Sequence, residues 1–219
     1  MKRYVSNKDE TARMFKRDWM EFFTHIHPSV PLIIYAPVIA FLLYRAAFVY
    51  PVPVWSAALL YSAGALAWTL TEYVLHRWGF HYEPTTSWGK SLHFIFHGVH
   101  HDYPRDSKRL VMAPVVSIPL AILFYAGFYL LLGEVNVSPV FAGFLFGYLC
   151  YDMIHYATHH FSIKSRMGLW LKQHHMLHHY QDEEKRYGVS TPVWDYVFGT
   201  MPASEKRENQ ITTHPETVA

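Results

Sequence analysis

The chain has 219 residues and is 51% hydrophobic and 17% aromatic but only 16% charged, well below the roughly 25% charge of an ordinary soluble domain. A formal net charge of +2 gives no general attraction for nucleic acid, and none is expected as a partner. The single cysteine, Cys150, excludes an internal disulfide framework.

Residues 1–29 read as a cytoplasmic N-terminal leader. They carry mixed charge (Lys2, Arg3, Lys8, Asp9, Glu10, Arg13, Lys16, Arg17) and lack the apolar stretch and small residues of a cleavable signal. From Thr11 to Phe23 the pattern predicts an amphipathic helix, with Met14, Phe15, Trp19, Phe22 and Phe23 available for one side. Such a helix suits a membrane interface, or equally a solvated leader. Four apolar blocks follow, residues 30–49, 54–75, 113–132 and 137–154, each near the roughly 20 residues that cross a bilayer core. The links Tyr50-Pro51-Val52-Pro53 and 133–136 are short and turn-like, so the blocks are expected as two antiparallel hairpins. Of the 19 Lys and Arg, six precede the first block, five lie between residues 77 and 112, seven follow Ile154 and Arg45 sits inside the first. By the positive-inside rule both termini and the middle loop face the cytoplasm. The expected fold is all-α: four transmembrane helices in two hairpins with a cytoplasmic helical cap. A membrane-embedded domain would span 30–201, with a polar tail at 202–219.

Of 16 histidines, 13 fall in four clusters beyond the cytoplasmic ends of those blocks. The strings are HRWGFH, HFIFHGVHH, HYATHH and HHMLHH. Residues three and four apart share a helix face, so His97, His100 and His101 are expected to aim at one point, as are His175, His178 and His179. His155 and His159 are four apart. His76 and His81 are five apart, and the helix is expected to end or unwind between them, eased by Gly79. Imidazole is a neutral ligand suited to iron, zinc, copper or nickel. Ten ligands (His76, His81, His97, His100, His101, His155, His159, His175, His178, His179) exceed one tetrahedral zinc and suit two metals of about five each, hence a di-metal site in the cap. His93, His160 and His174 are expected to hydrogen-bond around it; any of the carboxylates Glu72, Asp102 and Asp152 could accept the distal N–H of a ligating ring, while Glu72 could equally snorkel or pair with Arg77. His25, His27 and His214 are read as ordinary boundary histidines.

The order HxxxxH, HxxHH, HxxxH, HxxHH resembles the sterol desaturase and fatty acid hydroxylase superfamily of membrane di-iron oxygenases, and within it most nearly the fatty acid 2-hydroxylases. The supporting strings are EYVLHRWGFH, HFIFHGVHHDYPRDSKRLV, YDMIHYATHH and HHMLHHY followed by YGVSTPVWDYVFGT, from about Trp68 to Met201. RLVMAP has Ala113 where a second proline is expected. The resemblance implies two iron ions, replaceable by zinc on purification, a lipid acyl chain as substrate, and O2. No haem-binding HPGG string or GxGxxG loop is present, so two electrons are expected from a separate protein, such as cytochrome b5 or a ferredoxin with its reductase. Tyr73, Trp78, Tyr151, Tyr156 and Trp194 would line the lipid passage or anchor at the interface. The membrane would be the endoplasmic reticulum in a eukaryote or the cytoplasmic membrane in a bacterium. Carotenoid or sterol hydroxylases and desaturases use similar histidines, and a His-rich membrane metal-binding or transport protein is the alternative of another class. A transporter would place its ligands near mid-membrane, which the clusters' position disfavours.

Overall fold

The computed structural model describes residues 4–202; His214 and most of the expected tail lie outside them. Among the described residues all regular structure is helical. The helices are α1 (Asp18–Phe22), α2 (Ser29–Tyr44), α3 (Val54–Val74), α4 (Ser87–His93), α5 (Val99–Asp102), α6 (Pro114–His160), α7 (Arg166–Tyr180) and α8 (Val193–Val197). Three π-helical turns adjoin them: π1 (Arg45–Val49), π2 (Leu75–Phe80) and π3 (Phe94–Gly98). The described residues divide into two compact units, one of residues 13–72 and 107–153, the other of 4–12, 73–106 and 154–202.

The first unit holds the apolar helices. Three stretches, Ser29–Val49, Val54–Phe80 and Pro114–His160, are long and apolar enough to cross a membrane. The third has 47 residues, about 70 Å of helix at 1.5 Å per residue, more than twice a bilayer core. It is interrupted at Gly133, whose φ of 74° and ψ of 176° are non-helical. A positive φ of this kind is open to glycine and strained for other residues. The two halves fold back on each other: Phe124 meets Phe144 at 4.9 Å between ring centroids, Tyr125 meets Phe141 at 5.2 Å, and Phe128 meets Phe144 at 5.2 Å. Arg45, a cation in an apolar segment, is matched by Glu134 at 3.4 Å and bonds Tyr50.

Glycines set how closely α3 and α6 approach. A Cβ on Gly64 would fall 1.8 Å from the Val140 carbonyl oxygen, one on Gly143 1.9 Å from that of Tyr61, and one on Gly147 2.6 Å from Trp68 Cβ. Gly143 and Gly147 form a GxxxG pair, the spacing that lets helix backbones touch in membranes. Around them lies an aromatic core of Tyr35, Trp68, Phe141, Phe144 and Tyr148. Outward, Phe48, Trp55, Leu130 and Leu131 are 75–87% exposed. An apolar surface on that scale calls for lipid rather than water.

The amphipathic helix expected over 11–23 shrinks to α1. The Glu21 carboxylate accepts the Met14 and Phe15 N–H groups at 3.1 and 2.8 Å, so those donors do not enter a helical ladder. Glu21 is itself fixed by Arg109.

Candidate metal centre

All ten histidines fall in the second unit, where local sequence sets their directions. Helix α7 starts at Ser165, whose hydroxyl accepts the Gly168 N–H at 3.2 Å; Thr86 caps α4 through Gly89 in the same way. Satisfying an otherwise orphaned N–H fixes where each helix begins, and hence which way its histidines point.

The rings converge in two groups of five. His76, His81, His97, His101 and His178 form one, and His100, His155, His159, His175 and His179 the other; within each group one nitrogen from every ring lies within 4.8 Å of the rest. In the first, Nε2–Nε2 separations are 3.3 Å for His81–His76, 3.1 Å for His97–His81, 3.0 Å for His101–His97 and 3.1 Å for His178–His81. In the second they are 2.9 Å for His155–His100 and His159–His175, and 3.1 Å for His179–His175. The groups adjoin: His101 and His179, one from each, stack at 4.3 Å.

One local expectation is corrected and another is refined. Neither HxxHH string aims at a single point. His97 and His101 enter the first group while His100 enters the second; His175 and His179 enter the second while His178 enters the first. At about 100° per residue, positions i and i+4 differ by about 40°, but i+3 and i+4 by about 100°, so each string serves two foci. Between His76 and His81 the helix ends, at Phe80, as expected, but without unwinding first. It widens into π2, where the His81 N–H bonds the His76 carbonyl at 3.1 Å. A five-residue spacing is one π turn, and the two rings meet.

The imidazoles that the carbonyls hold are locked in one tautomer. His76 Nδ1 bonds the Tyr187 carbonyl, and His178 Nδ1 bonds that of Lys185 at 2.7 Å. A carbonyl only accepts, so the proton is on Nδ1 and each Nε2 turns a lone pair inward. Two lone pairs cannot bond each other; a cation between them satisfies both. In the second group, His175 Nε2 faces both His159 and His179 Nε2, and one N–H serves only one of them. Burial first, then neighbouring imidazoles, holds His97, His100, His175, His178 and His179 well below the ordinary histidine range and pushes His101 down to about 3. The rings are therefore neutral at neutral pH, the form that binds metal. The donor sets fit two metal ions.

The groups around the rings include backbone carbonyls as well as side chains. The Asp102 main-chain carbonyl accepts the Val5 and Ser6 N–H groups at 2.9 and 3.1 Å. The acceptors seen for His76 and His178 are backbone carbonyls. His174 bonds Asp195 at 3.2 Å, His160 stacks on Tyr156, and His93 ends α4 and enters neither group. Sequence reasoning missed Asp195 and the 185–188 loop, although Tyr187, Gly188 and Asp195 stand in the quoted string YGVSTPVWDYVFGT.

Comparison with known proteins matches residues 61–200 to the fatty acid hydroxylase family model. This chain belongs to the fatty acid hydroxylase family. It is thereby an oxidoreductase acting on a lipid acyl chain. It is 35% identical over 197 residues to a dihydroceramide fatty acyl 2-hydroxylase of Arabidopsis thaliana, covering 88% of this chain and 81% of that protein. It is 40% identical over 149 residues to the fatty acid 2-hydroxylase of Rattus norvegicus, covering 67% of this chain but 40% of the rat protein. The solved structure of full-length scs7p, in which only the hydroxylase domain is visible, superposes with a TM-score of 0.80 at 34% identity, covering 84% of this chain and 70% of that one.

Proposed function

We propose that this fatty acid hydroxylase inserts one oxygen atom at carbon 2 of a fatty acid or fatty-acyl lipid. It would use two iron ions held by the two imidazole groups, with O2 and two electrons from a separate donor protein. The observation that carries the reading is the convergence of ten imidazoles on two adjoining foci; family membership and the relatives' names supply the substrate class. A hydrogen on an acyl carbon offers no easy acid–base route to hydroxylation, and a bound redox metal supplies the O2 chemistry that the side chains cannot. Five nitrogen donors per focus exceed tetrahedral zinc, which favours iron as the working metal.

The chain's own groups have definable tasks. His76 and His178 hold their protons on Nδ1, against the Tyr187 and Lys185 carbonyls, and so keep Nε2 free. Nine of the ten rings are at most 9% exposed, and that burial excludes the water that would quench a reactive oxidant. The break at Gly133 supports two spans within α6, hence four in all, inside a membrane domain of 30–201. The Lys and Arg distribution supports cytoplasmic termini, in the endoplasmic reticulum of a eukaryote or the cytoplasmic membrane of a bacterium.

Expression in cells lacking the gene is expected to add 2-hydroxy acyl chains to the lipid extract, read by mass spectrometry. Under labelled O2 the new hydroxyl carries the label, and under labelled water it does not. Label entering from water would overturn the oxygenase reading, and hydroxyls only at other carbons would overturn the position.

A further inference from the structure

Both carbonyls that orient the first imidazole group lie in one short loop, residues 185–188, and that loop hangs on one side chain. Asp195, in α8, is fully buried. Its Oδ1 accepts the Tyr187 N–H at 2.8 Å and the Thr200 hydroxyl at 2.7 Å; its Oδ2 accepts the Gly188 N–H at 2.9 Å and faces His174 Nε2 at 3.2 Å. Burial by itself would raise this carboxyl, but the hydrogen bonds from His174, Thr200 and Gly188 outweigh it and hold the group below its ordinary value. It is therefore a carboxylate, which only accepts, facing donors on both oxygens.

The loop's shape needs such an anchor. Arg186, between the two orienting carbonyls, has a φ of 61°, a conformation that costs a non-glycine residue about 1–3 kcal/mol unless its surroundings over-determine it. Its N–H is taken by the Thr200 carbonyl at 3.2 Å. A Cβ on Gly188 would fall 2.1 Å from the Thr191 carbonyl and 2.9 Å from Asp195 Oδ2, so the backbone is pressed onto the carboxylate. In the second imidazole group, Nδ1 of His159, His175 and His179 finds no hydrogen-bond partner among the described residues.

We propose that Asp195 is a positioning residue for the first imidazole group alone, fixing the Tyr187 and Lys185 carbonyls that set the tautomer and direction of His76 and His178. The inference rests on the reading that the two groups hold two metals. Partners one shell beyond a metal's ligands, here the two carbonyls, are worth about 10–100-fold in metal affinity; Asp195 acts through them, so its loss should fall on one ion of the two.

The test is iron(II) loaded anaerobically into the purified full-length protein and counted per chain, with Asp195→Asn as the main variant. Asparagine keeps the size but turns an amide NH2 toward donors on one side. Wild type is expected to hold two ions and Asp195→Asn one. Adding His178→Ala to Asp195→Asn should remove nothing further, whereas adding His175→Ala should remove the remaining ion. A general structural fault would strip both ions, so Asp195→Asn/His178→Ala falling to zero would overturn the proposal, as would Asp195→Asn keeping two ions at unchanged affinity. Should Asp195→Asn fail to fold, Thr200→Val, which removes one hydroxyl donor to the carboxylate, carries the test. It is expected to weaken one site about tenfold, within that range, and unchanged affinity at both sites would refute the idea. Wild-type protein that holds no iron would sink the underlying two-metal reading instead, before any variant is made.

Discussion

Replacing His178 with alanine is expected to reduce hydroxylation by about a hundredfold or more and to lower bound metal from two ions per chain to one. The ring is fully buried, its Nε2 lies 3.1 Å from that of His81, and its Nδ1 is committed to the Lys185 carbonyl. Groups one shell out are worth about 10–100-fold, so a first ligand should cost at least the upper end of that range. His97→Ala should act alike on the first group, and His175→Ala on the second. Because the proposed oxidation uses both foci, activity should fall to a similar extent in all three while the metal count falls by one. His27, bonded to Ser29 at 2.7 Å near the start of α2, supplies the control, and His27→Ala should change neither quantity. Metal counts by mass spectrometry beside product analysis read the outcome. A His97→Ala/His178→Ala protein with two ions and full turnover would end the metal assignment.

The sequence made some of this visible and hid the rest for physical reasons. Apolar blocks of bilayer length are legible because hydropathy is additive along a helix, and the Gly133–Asn136 segment marked the reversal in α6. The ten ring nitrogens were legible as a set because their side chains carry the chemistry. How they divide was not read, because spacing was converted to faces by a rule of same-side neighbours. That rule overlooks the angle of about 100° between the two adjacent histidines of each HxxHH string. The helix end between His76 and His81 was legible, but not its π-helical form, because a π turn has no side-chain signature and its extra residue shows only in the backbone. The carbonyls of Lys185 and Tyr187 were invisible for the same reason, and Asp195 with them, since its partners are mostly backbone N–H groups. Glu21 shows the opposite failure: a helical pattern from Thr11 onward was overridden by one carboxylate competing for the donors of Met14 and Phe15.

Gly143 and Gly127 allow the same substitution to be made in one helix with opposite expected signs. Both lie in α6, and alanine favours a helix over glycine by about 1 kcal/mol where space permits. Around Gly127 nothing lies within 4 Å of a new Cβ, so Gly127→Ala should be neutral or stabilising. At Gly143 the new atom would fall 1.9 Å from the Tyr61 carbonyl oxygen, with the Tyr61 carbonyl carbon at 2.7 Å. Those are backbone atoms of α3, not the movable end of a side chain, so relief requires the helices to separate. Overpacking typically costs about 1–3 kcal/mol, and separation here would also loosen the ring contacts of Trp68 with Phe144 and Tyr148, at 5.2 and 5.1 Å. Gly143→Ala should therefore lower the thermal midpoint in detergent by several degrees, and Gly143→Leu should leave little folded protein. Equal midpoints for Gly143→Ala and Gly127→Ala would show that α3 and α6 do not touch backbone to backbone. The small residues of GFLFG would then be incidental to the fold.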